Sequence, residues 1–144
     1  MRDIGDKQAR AMADILKWVK FTEALNAAGV STGNGRGFWG GVAQDGEIVV
    51  TSWLTDRNEN GTQRRIHKPT TNHGGLRRMW ELGALTIGTK VRVILTDPGN
   101  SENTGDRKKA VKWAALMPGR WRVVGFGEYD GHPTASIEPI KDVA

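Results

Sequence analysis

The sequence predicts an α+β domain that is mainly β, a small barrel with an N-terminal helix and one short inserted helix. Glycine is plentiful, 19 in 144 residues, which suits tight turns and bulges between short strands better than long helices. From residue 38 onward apolar residues recur with a period of two, and Asp-Gly pairs at 45–46 and 130–131 interrupt them as hairpin turns do. The element order is helix, three strands, helix, three strands. A sheet of that size must cover its edges, and closure into a barrel removes them.

The first helix is expected over residues 7–28, where Met12, Ile15, Leu16, Val19 and Leu25 recur at helical spacing. Asp3 or Asp6 can cap it and Gly29 can end it. Trp18 and Phe21 widen its apolar surface, so residues 1–30 are expected to pack on the body or to dock another chain. Residues 31–37, rich in glycine, read as a linker. Residues 38–140 then form the barrel of what is, overall, a single domain.

In that barrel, residues 38–43 and 47–54 pair as a hairpin around Asp45-Gly46. A polar loop leads to a strand at 63–68, ended by Pro69. Asn72 or Thr71 caps a second helix that Gly83 closes. A strand follows at 91–96, with Val91, Val93 and Leu95 alternating with Arg92, Ile94 and Thr96. Residues 98–110 read as a charged loop, and 111–117 leave helix and strand open. Strands at 120–129 and 134–140 turn at Asp130-Gly131 and complete the set.

Composition narrows the function. Six tryptophans and 38% apolar residues supply one folded core. The absence of cysteine excludes disulfides, thiolate metal sites and a cysteine nucleophile. No stretch approaches the ~18 apolar residues of a membrane span, and residues 1–6 lack the apolar run of a secretion signal, so a cytoplasmic protein is expected. The net charge of +5 is unevenly spread. Residues 64–122 hold thirteen Lys or Arg against four acids, a net of +9, leaving −4 for the rest. Such asymmetry is the footprint of a nucleic-acid binder, whose phosphate contacts come from Lys and Arg.

Residues 76–95, a helix, an Ile-Gly-Thr-Lys turn and an alternating strand, resemble the matching part of single-strand-binding OB domains. A PUA-like barrel is similar too, with a short helix before such a turn and a later strand like Val123-Val124-Gly125-Phe126-Gly127-Glu128. Either resemblance implies an OB-like or PUA-like barrel; neither establishes a function.

The expected contact residues are Arg64, Arg65, Lys68, Arg77, Arg78, Arg120 and Arg122 for phosphates, with Trp39 or Phe126 touching bases. Strand alternation places Arg120, Arg122, Val124 and Phe126 on one face and Trp121, Val123 and Gly125 on the other, with Trp121 toward the core. Residues 106–109 would add charge that orders on binding. Nucleic acid, single-stranded or structured, is therefore the expected partner, with no membrane and no cofactor. The alternative is a structural subunit of a homo-oligomer or larger assembly, docking through the N-terminal helix. A metal-dependent nuclease built on His67, His73 and His132 with Asp130 or Glu128 comes third. Asn72-His73 lacks the paired ligands such chemistry needs, so no catalytic or metal-binding residue is assigned.

Overall fold

The computed structural model describes residues 17–30, 40–58, 62–69, 76–97 and 111–140. They form an α+β, mainly β domain with two short helices, α1 (Phe21–Ala27) and α2 (Leu76–Glu81). The strands are β1 (Gly40–Val42), β2 (Ile48–Trp53), β3 (Arg64–His67), β4 (Lys90–Asp97), β5 (Trp113–Leu116), β6 (Trp121–Tyr129) and β7 (His132–Pro139). They make one mixed sheet in the order β1-β2-β4-β6-β7-β3, with β5 paired to β4. The β2–β4 pair is parallel and all others are antiparallel. The segment 111–117, undecided by its sequence, thus supplies β5, which lies beside the second half of β4.

The turns form where their residues predict. Gly46 takes φ 90° in the β1–β2 hairpin, and Glu47 N–H donates to Asp45 Oδ1 at 3.0 Å. Asp130 and Gly131, at φ 52° and 80°, make the two-residue turn between β6 and β7. Gly29, at φ 88°, ends α1: its N–H donates to Asn26 and that of Val30 reaches back to Leu25.

Among the described residues the helix expected over 7–28 runs only from Phe21 to Ala27. Residues 17–20 precede α1 in extended form, and Val19 exchanges backbone hydrogen bonds with Ala114, at 2.8 Å each way. Pairing with β5 satisfies the backbone that helix would otherwise satisfy, and tertiary contact outweighs propensity. Met12, Ile15 and Leu16 lie outside the described residues, as do residues 31–37 and the loop 98–110.

Two apolar clusters lie on opposite faces of the sheet. On the inner face Val50, Ile66, Val91, Val93, Leu95, Trp121, Val123, Ala135 and Ile137 pack beneath Leu76 and Trp80 of α2. On the outer face Ala24 and Leu25 of α1 pack on Val49, Ile94 and Ala114. The alternating pattern of β4 therefore has both faces buried between Val91 and Thr96, apart from half-exposed Arg92. The outer face of β6, β7 and β3 lies outside the cluster that α1 forms.

The sheet curls but does not close into a barrel, which corrects the closure expected from the strand count. β2 and β3 join only at their loop end, where Arg65 N–H donates to Asp56 O and Asn58 N–H to Gln63 O. Deeper in, side chains take the place of a ladder. Ser52 Oγ donates to Arg65 O at 2.9 Å, and the Arg64 guanidinium donates to the carbonyls of Trp53 (3.3 Å) and Leu54 (2.9 Å). These side-chain donors satisfy carbonyls at the seam that no strand ladder pairs.

Candidate functional site

On the outer face of β3, alternation sends Arg65 and His67 to one side and buries Arg64 and Ile66 on the other. Asp56, in the loop leaving β2, reaches both outward residues. Its Oδ1 accepts from Arg65 Nε (3.2 Å) and Nη2 (2.8 Å), and its Oδ2 lies 2.9 Å from His67 Nε2. A carboxylate only accepts, so Nε2 carries the hydrogen in this contact. Tyr129, at the end of β6, completes the cluster. The Arg65 guanidinium carbon lies 3.5 Å from the centroid of its ring, and His67 meets it edge-on at 6.3 Å.

The carboxylate is the hub of this group. Burial works to raise the Asp56 pKa, but hydrogen bonds from His67 and Arg65 together outweigh it and hold the carboxyl below its ordinary value. Asp56 therefore stays ionised at neutral pH and fixes both side chains against the face of β3. Beside Tyr129, Gly125 and Gly127 lie on the same outer face, opposite Ser136 and Thr134, and among the described residues an added Cβ at either glycine would have nothing within 4 Å. His132 pairs with Tyr129 across the turn and is exposed.

Besides Arg65 and Arg64, the expected phosphate contacts fall into two groups, each drawn toward carboxylates. At the end of β3, Lys68 Nζ lies 3.3 Å and Arg77 Nε 3.2 Å from Glu81 Oε2, and Arg77 and Arg78 line a pocket of about 330 Å³ with Glu81 and Leu82. Hydrogen bonds from Arg77 and then Lys68 lower the Glu81 pKa. At the start of β6, Arg120 pairs with Glu47, and Arg122 Nη2 lies 2.7 Å from Glu138 Oε1. Arg64 is 7% exposed and turned inward on backbone carbonyls. Burial, with the like charge of Arg57, lowers its pKa to about 10 against the raising effect of Asp56. Among the described residues these cations do not form one unbroken track. Trp39 lies outside the described residues, as does His73.

The alternation expected along β6 holds only for its first half. Trp121 and Val123 are buried and Arg122 faces out, but Val123 pairs with Ile137 and Gly125 with the next residue, Ser136, so Val124 is an extra residue in a bulge. The bulge reverses the faces beyond it. Phe126 pairs with buried Ala135 and sits on the inner side, where it packs edge-on against Trp80 at 5.8 Å. It does not share a face with Arg120 and Arg122.

Sequence reasoning missed Asp56 and Tyr129. Asp56 sits in a loop of polar residues with nothing local to mark it. The alternation of Arg65 and His67 was a usable signal, because two outward polar residues on a short strand call for a common partner. Among the described residues no group of three His, Cys, Asp or Glu is placed to hold a metal ion. No described helix is long and apolar enough to cross a membrane. Compared with protein-family models, curated proteins and solved structures, the chain matches none of them.

Proposed function

We propose that this domain binds nucleic acid on the outer face of β3, β7 and β6, in the cytoplasm. The observation that carries the reading is the Arg65–Tyr129 stack, a cation and a half-exposed ring held together beside a glycine strip. Arg122 and Arg120 stand at the far end of that strip, while Lys68, Arg77 and Arg78 stand by α2 on the inner side, off this face. The pairs of Arg122 with Glu138 and of Arg120 with Glu47 are at least partly exposed. Exposed pairs are worth little, ~0–1 kcal/mol, so a phosphate can take the place of a carboxylate at small cost. Arg64, turned inward, has no part in this role. An OB-like use of a curled sheet is the fold-level analogy that accompanies it.

Anisotropy of labelled single- and double-stranded oligonucleotides across a salt series tests the proposal. Contact with about three phosphates of a single strand gives a log–log slope near −2. Absent binding, or affinity indifferent to salt, rejects it.

A further inference from the structure

The proposed interface pairs a stacking surface with cations, and the geometry points to its substrate class. Resting on the nucleic-acid reading above, we infer that the ligand is single-stranded and that one unpaired base stacks on the exposed face of Tyr129. Arg65 covers one side of the ring at 3.5 Å, while the residue remains 51% exposed. Asp56 anchors Arg65 through two nitrogens, and His67, held by the same carboxylate, meets the ring edge-on. The ring is thus oriented before any ligand arrives, which lowers the ordering cost of stacking.

A duplex cannot use this surface, because its bases are already stacked on one another and present only edges in the grooves. An unpaired base has a free π-face, and stacking on an aromatic side chain tolerates any sequence. From Tyr129 the outer face runs back over Gly127 and Gly125 to Arg122, about 20 Å at ~3.3 Å per residue. The two glycines leave room for a sugar–phosphate backbone to lie close to the strand, and Arg122 and Arg120 stand where it emerges.

Tyr129 is the chain's single tyrosine, so uniform 3-fluorotyrosine labelling places one ¹⁹F probe at the site without removing any contact. The experiment follows that resonance and anisotropy together, using a short mixed-sequence single strand, the same strand with abasic sites, and its duplex. The inference expects the ¹⁹F line to shift with the single strand and to stay in place with the abasic strand and the duplex. Tyr129→Ala should weaken single-strand binding about 5- to 100-fold, with the salt slope unchanged and Tyr129→Phe near wild type. Binding by anisotropy with an unmoved ¹⁹F line, or an equal shift with duplex, overturns the stacking inference and leaves the nucleic-acid reading standing. No binding of any oligonucleotide overturns both.

Discussion

The carboxylate of Asp56 and the imidazole of His67, eleven residues apart in the chain, meet at 2.9 Å on the outer face of the sheet. The same carboxylate holds Arg65 through two nitrogens. One acidic residue thereby ties the β2–β3 loop to the strand it precedes and orients the side chain on which Tyr129 rests.

Asp56→Asn is expected to destabilise the fold by ~1–2 kcal/mol at neutral pH, since hydrogen bonds to charged groups are worth more than neutral ones. The pH dependence has a definite sign. The folded carboxyl pKa lies below its unfolded value of 3.8, so the unfolded chain binds more protons and the stabilisation is lost as pH falls through the folded pKa. Denaturant melts should show the gap between wild type and variant constant above about pH 5 and narrowing below pH 4. A gap that widens on acidification contradicts this.

Arg64 should prove structural. Arg64→Ala removes the guanidinium donor from the carbonyls of Trp53 and Leu54 at the seam between β2 and β3; Trp53 keeps the Asp56 N–H, and the loss at Leu54 is expected to cost ~1–3 kcal/mol. Oligonucleotide affinity of the folded variant should stay within about twofold of wild type, as no phosphate contact is removed. A stable variant with lost binding would reverse that assignment.

Carboxylates that hold the surface arginines compete with phosphate. Glu138→Gln, which releases Arg122, is therefore expected to strengthen nucleic-acid binding severalfold and to leave the melting temperature nearly unchanged. Arg122→Gln should act in the opposite direction and make the salt slope shallower by about 0.7. Equal affinities for the two variants would separate this pair from the interface.

Gly40→Ala should be poorly tolerated. Gly40 has φ 138°, and an added Cβ would lie 2.2 Å from the carbonyl oxygen of Val49 on the paired strand. Because that neighbour is backbone, relief requires β1 to move away from β2, at roughly 3 kcal/mol or more. Thermal unfolding measures it, and a loss under about 1 kcal/mol would show the hairpin to be more pliable than its geometry.

Period-two runs with turn residues between them are local properties, and they determined the hairpins at Asp45-Gly46 and Asp130-Gly131, the alternation of β4, the stops at Gly29 and Gly83, and the inward face of Trp121. Element type was legible there because the side chain's face and the turn's φ depend on neighbouring residues alone. The tertiary structure decided what depends on distant partners. Residues 17–20 are extended because β5 offers Val19 a backbone partner, and the sheet stays open with Ser52 and Arg64 side chains bridging β2 and β3 where no ladder forms. Phe126 faces inward because a single extra residue reverses the alternation, and composition carries no mark of such a bulge. The uneven charge was plain in the sequence, but which arginine meets which carboxylate was not. Coulomb attraction acts over a few ångströms in space, and only the fold brings Glu138 to Arg122 and Asp56 to Arg65.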